Sequence, residues 1–252
     1  MLRSRLRSCF AALVATAAFT QVASAADLPA KAPMWDPASA WSWSGVYVGV
    51  NAGYGVGLNP TNEAGNGTGF GFGHLDLTQD TMAPQGFVGG GQIGYNWLMT
   101  PNWLLGVEVD FQGSTQKDSS CTLECGFFPL NSSQELPWFG TARARLGYVN
   151  GDYLWYVTGG GAWAKVNSDY SLSYLGATDS GSSTETKGGF VVGAGVETHL
   201  AGNWTAKLEY LYMDLGTVTN TYATPNLGGS VTVDSEIRDN IVRVGLNYKL
   251  TP

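Results

Sequence analysis

The chain is short of charge. Its 252 residues carry 13 Lys+Arg and 20 Asp+Glu, 13% in all, where an ordinary soluble domain carries roughly a quarter. A fully hydrated globular surface is hard to build from so few ions. The balance is acidic, which argues against nucleic acid as a partner. Histidine is scarcer still. His74 and His199 sit at no ligand spacing, and Cys121 and Cys125 alone leave a zinc site two ligands short. No base stands near a nucleophile in a pattern that would build a catalytic pair, so the chain reads as no enzyme, with no cofactor and no metal. After residue 25 no apolar run approaches the roughly 20 residues a membrane-spanning helix needs.

The N-terminus departs from this pattern. Arg3, Arg5 and Arg7 precede an apolar run from Cys9 to Phe19, and Ala23-Ser24-Ala25 supplies small residues for cleavage. The apolar core is about half a bilayer span, so residues 1–25 read as a signal peptide rather than an anchor. Cleavage would leave 10 Lys+Arg against 20 Asp+Glu, a net of −10. Residues 26–42, rich in Pro and Ala, read as a periplasmic lead-in to a single barrel domain over 43–252. In an oxidising compartment Cys121 and Cys125 invite a loop disulfide.

Glycine (35 residues) and aromatics are plentiful, and the hydrophobic fraction is an ordinary 44%. From Trp41 onward apolar and polar residues alternate with period two. The alternation predicts eight strands: 43–57, 87–98, 103–112, 137–149, 153–166, 189–200, 204–215 and 240–250. Three connections are tight and polar, at Thr100-Pro101-Asn102, Asn150-Gly151-Asp152 and Ala201-Gly202-Asn203. The other four, near 58–86, 113–136, 167–188 and 216–239, exceed twenty residues and are rich in Gly, Ser, Thr and Asn. Short turns alternating with long loops over an even number of strands predict an all-β, eight-stranded antiparallel transmembrane barrel, with four long external loops and three short periplasmic turns. A soluble calyx of the lipocalin kind would need the opposite polarity, apolar inside and charged outside.

Charge sets the phase of each strand, because Arg or Lys on the lipid face near the midplane costs about 2–4 kcal/mol. Glu108 and Asp110, Arg143 and Arg145, Glu197, Lys207 and Glu209, and Arg243 then all face inward, opposite rows of apolar residues. Height counted from the short turns pairs Glu108 with Arg145, Asp110 with Arg143, Glu197 with Lys207 and Glu209 with Arg243. Such a network can plug the lumen or line a selective path. The plug is the stronger reading, since eight strands enclose a space just wide enough for side chains to fill. Strand 153–166 is ambiguous; Lys165 favours Leu154, Tyr156 and Ala162 outward. Trp97, Trp103, Tyr148, Trp204 and Tyr248 gather near the short turns as one aromatic girdle, with a weaker one near the loop ends. Gly89, Gly91 and Gly94 spell GxGxxG, but inside an alternating strand they read as close packing rather than as a dinucleotide turn.

Several stretches carry a family likeness: the Ala-Asp-Leu-Pro after the signal, Trp43-Ser-Gly-Val-Tyr-Val-Gly-Val-Asn-Ala-Gly-Tyr-Gly, Lys207-Leu-Glu-Tyr-Leu-Tyr-Met-Asp-Leu-Gly216 and Asp239-Asn-Ile-Val-Arg-Val-Gly-Leu-Asn-Tyr-Lys-Leu250. The chain resembles the small outer-membrane immunogenic proteins of alphaproteobacteria, grouped with opacity-type porins. The resemblance implies an outer-membrane barrel with surface-exposed loops and a role in envelope integrity or host contact. Its partners would be outer-membrane lipid and lipopolysaccharide, the outer-membrane assembly machinery, and an extracellular or host partner met through the loops. Some relatives are called porins and haem binding has been ascribed to a few; neither follows from these residues. Such barrels usually end in an aromatic residue, whereas this chain ends Leu250-Thr251-Pro252.

Overall fold

Alternating residues form strands wherever one face can find apolar surroundings, and here nearly every described residue is in a strand. The computed structural model describes residues 41–67, 74–122, 130–174, 177–225 and 229–250. The expected signal peptide, most of the lead-in and Cys125, hence the Cys121–Cys125 disulfide, lie outside them. The strands are β1 (Gly45–Gly57), β2 (Asn59–Gly67), β3 (His74–Met82), β4 (Gln85–Leu98), β5 (Trp103–Thr122), β6 (Leu130–Asn150), β7 (Tyr153–Tyr174), β8 (Ala177–Ala201), β9 (Trp204–Thr224) and β10 (Gly229–Lys249). β1, β4, β5, β6, β7, β8, β9 and β10 pair in that order, all antiparallel, and β1 pairs with β10 to close a ring of eight.

The three short turns stand where expected, with Gly151 (φ 60°) and Gly202 (φ 57°) in the left-handed region that turns favour. The four long connections differ from the expectation in one respect. Most of their length continues as strand, and 58–86 contributes the hairpin β2–β3, which pairs with β10 from Thr61↔Ser235 to Gly67↔Gly229. The Ser, Thr and Gly that suggested loops are strand residues bathed in water on their outer side, where no apolar alternation is required.

The wall changes character at one height. β8 pairs with β9 from Ala201↔Trp204 up to Phe190↔Asp214, and among the described residues no pairing joins them above that rung. Likewise none joins β3 to β5. Gly216, with φ 72°, turns β9 away just past this rung, and its amide is held by the Asp214 carboxylate (2.9 Å). Register shifts fall at the same level in β5–β6 (Gly113/Gln116), β6–β7 (Glu135/Trp138) and β9–β10 (Glu236/Arg238). Beyond it the ring is two sheets, β5-β6-β7-β8 and β9-β10-β2-β3. They face each other through Leu136 and Val166 against Val218 and Ile237. Tyr170 stacks on Tyr222 at 4.2 Å and donates to the Ala223 carbonyl (3.1 Å).

Inside the ring the side chains lie in layers. At the turn end, Trp43, Leu104, Val149, Leu154 and Tyr156 form an apolar base. A layer of amides and ions follows, and above it Val88, Phe139, Ala162, Val191, Leu211, Met213 and Ile241 form a second apolar layer. Phe139, Leu211 and Ile241 are fully enclosed.

One phase assignment is corrected. Leu154, Tyr156 and Ala162 of β7 point inward, and Tyr153, Trp155 and Val157 point outward. Lys165 misled because it stands opposite Trp138 at the outer girdle, where a lipid-face cation costs only about 0–1 kcal/mol. The GxGxxG glycines need a correction as well. Of the three, only Gly94 is a close approach: a Cβ there would lie 2.2 Å from the Tyr47 hydroxyl, whereas Gly89 and Gly91 have nothing nearer than 3.5 Å.

Candidate functional site: the charged lumen

Period-two alternation puts residues of like parity on one face. Glu108 and Asp110 of β5, Arg143 and Arg145 of β6, Glu197 of β8, Lys207 and Glu209 of β9 and Arg243 of β10 all point into the ring, and all are buried. Four cations thus meet four carboxylates in a space no wider than their own side chains. Opposite charges that are buried and matched avoid the several kcal/mol that each would cost alone.

Glu108 is the hub. It accepts from Tyr47 Oη (2.6 Å), from Lys207 Nζ (3.0 and 3.1 Å) and from Arg143. Arg145 and Arg243 stand 3.6 and 3.7 Å from its oxygens. Arg143 also bridges to Asp110 (2.9 Å) and Glu209 (3.1 Å). Arg243 bridges to Glu209 (2.6 Å) and Asp110 (3.1 Å). Arg145 reaches Glu197 at 3.2 Å, with its guanidinium carbon 4.9 and 5.0 Å from the ring centres of Tyr47 and Tyr156. A cation between two aromatic faces gains from both ring quadrupoles.

The pairing differs in detail from heights counted off the turns. Glu108 stands opposite Arg143, two residues from the counted register, although the Glu108–Arg145 and Asp110–Arg143 contacts also form across the diagonal. Glu197 stands opposite Lys207, yet Lys207 turns to Glu108 and Glu209 and Glu197 takes Arg145. Lysine's long flexible stem lets it leave its rung for a denser cluster of carboxylates.

Neutral partners complete the set. Asp110 accepts from Thr141 (2.7 Å), Glu209 from Tyr156 Oη (2.9 Å), and Asn96 Oδ1 from Arg145 Nε (2.9 Å). Below them Asn51 donates to Gln92, which with Asn247 and Thr205 links down to Glu197. Following only charged residues misses this amide ladder. Asn51, Gln92, Asn96 and Asn247 were findable as polar residues on the inward parity of strands whose other face is apolar. Three guanidinium nitrogens, Arg143 Nε, Arg145 Nη2 and Arg243 Nη1, have no protein acceptor.

At the base, Trp41 stacks on His199 (4.1 Å) and Lys249 Nζ donates to the Ser42 carbonyl (2.6 Å). The segment before β1 therefore crosses under the lumen and is held on two sides.

The outer wall is apolar around the ring. Trp97, Trp103, Tyr148, Trp204 and Tyr248 are all exposed, and Trp103–Tyr148 and Trp204–Tyr248 meet edge to face at 5.5 and 5.0 Å. A second belt contains the pairs Tyr54–Phe87, Phe111–Trp138 and Phe190–Tyr212. Between the belts stand Val107, Val109, Val192, Leu208 and Val244. From Trp204 to Tyr212 a tilted strand rises roughly 20 Å, near the 25 Å apolar band that lipid demands. Ions inside and hydrocarbon outside define a transmembrane β-barrel and exclude the soluble calyx.

Comparison with known proteins agrees. Residues 10–249 match the family described as outer membrane protein β-barrel domain, and the chain belongs to that family. It is 37% identical to the 31 kDa outer-membrane immunogenic protein of Brucella melitensis, across 98% of this chain and 100% of that one. It is 26% identical to the 25 kDa outer-membrane immunogenic protein of Brucella abortus, across 97% and 98%. Among solved structures, the outer membrane protein OprG from Pseudomonas aeruginosa shares the fold with a TM-score of 0.51 at 10% identity, covering 82% of this chain and 97% of that one. The protein resides in the outer membrane.

Proposed function

We propose that the protein is a sealed, non-catalytic barrel that stiffens the outer membrane and presents its two outer sheets at the cell surface. The observation that carries this reading is the filled lumen. Two apolar layers, one at Leu104 and Leu154 and one at Phe139, Leu211 and Ile241, bracket a neutral charge network. An ion crossing would have to shed most of its water between close-packed side chains, where only a few buried polar groups, such as Gln112, Gln116 and Asp239 beside the upper layer, could replace it. The eight ions of the network hold opposite walls of the ring together instead of lining a path. On this reading the signal peptide directs export, the assembly machinery inserts the barrel, and lipopolysaccharide surrounds its outer rim.

The rival is a small porin, and the three guanidinium nitrogens without protein acceptors are its best support, since they invite water. Reconstitution into a planar bilayer separates the two. A sealed barrel gives a baseline indistinguishable from protein-free lipid. Steady, size-selective current steps from the heat-modifiable, folded protein would refute the sealed reading.

A further inference from the structure

Lipid forbids open sheet edges, but water tolerates them. Above the Phe190–Asp214 rung, β8 from Ser180 to Gly189 has strand partners among the described residues only on β7, and β9 from Thr217 to Thr224 only on β10. Each edge therefore presents a row of N–H and C=O groups with no neighbouring strand, although the Ala223 carbonyl accepts from Tyr170 Oη (3.1 Å). Sheet edges are ordinarily guarded by proline, by bulges or by charge. These segments contain no proline, and their one cation, Lys187, is engaged by Glu185 at 3.0 Å. The outward residues beside the gap are small: Ser182, Thr184 and Thr186 on β8, and Thr217, Thr219 and Thr221 on β9.

We propose that this seam is a strand-addition site for an extended, lysine- or arginine-bearing segment of a partner polypeptide. Packed sheets lie about 10 Å apart, and one strand inserted between two edges needs two spacings of about 4.8 Å. The Tyr170–Tyr222 stack, with the Tyr222 hydroxyl donating to the Ser168 carbonyl (3.3 Å), holds the two sheets at packing distance behind the seam. A Cβ on Gly181 would lie 2.7 Å from Tyr170 and 2.9 Å from Tyr222, so β8 lies flat on those rings with its edge forward. An inserted strand would run antiparallel to one edge and parallel to the other, because β8 and β9 run in opposite directions.

Charge selects the partner. Glu185 on β8, together with Asp169 on β7 and Asp234 and Glu236 on β10 one strand away on either side, outnumber Lys187 and Lys165. A second copy of the chain does not fit. Two barrels in one membrane are related by an axis along the membrane normal, and β8 runs towards the membrane in both. With strands tilted about 40° their edges would cross at about 80°, while self-complementary pairing needs the axis perpendicular to the strand.

The test uses the full-length protein folded in detergent micelles and a synthetic peptide of about ten residues alternating Thr and Lys. Binding is read by fluorescence anisotropy and by amide hydrogen exchange. The expected result is slowed exchange at 180–188 and 217–224 and unchanged exchange in β6. Methylation of alternate backbone nitrogens in the peptide should weaken binding at least tenfold, since it removes ladder donors and keeps the charge. The proposal is overturned if the methylated peptide binds equally well, if no peptide binds, if protection appears at β3 and β5 instead, or if β8 becomes protected with rising protein concentration and no peptide. The inference rests on the proposed outward display only for the side from which the partner arrives. A conducting bilayer would refute the sealed lumen and leave this result untouched.

Discussion

Replacing Glu108 with Gln isolates the energetics of the lumen. The amide keeps the size of the carboxylate and its acceptor towards Tyr47 Oη, 2.6 Å away, while removing the charge that Lys207, Arg143, Arg145 and Arg243 all approach within 3.7 Å. Four cations then face three carboxylates, and one buried positive charge is uncompensated. Breaking a buried pair by removing one partner costs about 3–5 kcal/mol. The expected loss is about 3 kcal/mol, because Glu209 at 3.9 Å still partners Lys207. Removing that cation too, as E108Q/K207M, restores neutrality, so the double variant should lose less than the two single changes added together. The assay is urea unfolding in phospholipid vesicles, followed by tryptophan fluorescence, with a double-mutant cycle over the two sites. A coupling energy of about 2 kcal/mol in the stabilising direction is expected. If E108Q unfolds within about 0.5 kcal/mol of the parent, or if the double variant is worse than the sum of the singles, then the lumen is hydrated enough to screen its charges and the reasoning fails.

The membrane boundary gives a paired prediction. Val244→Arg, on the outer wall between the belts, should cost about 2–4 kcal/mol, while Thr219→Arg, on the same wall above the split, should cost less than about 0.5 kcal/mol; equal effects in vesicle refolding would misplace the bilayer. Phe139→Ala empties part of the upper apolar layer and should cost about 3–5 kcal/mol, measured by the same unfolding. Gly216 is in the left-handed region, and a Cβ there would meet no atom within 4 Å. It should tolerate Asn but lose about 1–2 kcal/mol on replacement by Val; a neutral Val would show that the turn of β9 does not depend on that dihedral.

The membrane half of the fold was legible because lipid imposes a strict rule. Glu108 and Asp110 against Val107, Val109 and Phe111 leave one workable phase, and the same holds for Arg143 and Arg145 against Ala142, Ala144 and Leu146. Where that rule lapses, reading failed. Lys165 stands at the girdle, where charge is tolerated, and carried the wrong phase to Leu154 and Tyr156. Beyond the girdle, stretches such as Ser180-Gly-Ser-Ser-Thr-Glu-Thr carry no apolar alternation, so strands there looked like loops. Which ion pairs with which was only half legible, since tilt shifts the register and long side chains reach past their own rung: Lys207 abandons Glu197 for Glu108.

The bends explain why a single chain holds both a closed ring and two parted sheets. Inside lipid every backbone group must be paired within the protein, so the eight strands have no choice but closure. A few residues past Phe87, Phe111, Trp138, Phe190 and Tyr212 water becomes available, and the constraint disappears. There the chain places the shifts at Gly113/Gln116, Glu135/Trp138 and Glu236/Arg238, and the left-handed Gly216. Each breaks the ladder where a broken ladder has become cheap. Closure and splitting are thus one response to solvent, with the outer belt of aromatic rings marking where the solvent changes, and moving a break such as Gly216 down to the level of Leu208 would force an unpaired edge into hydrocarbon.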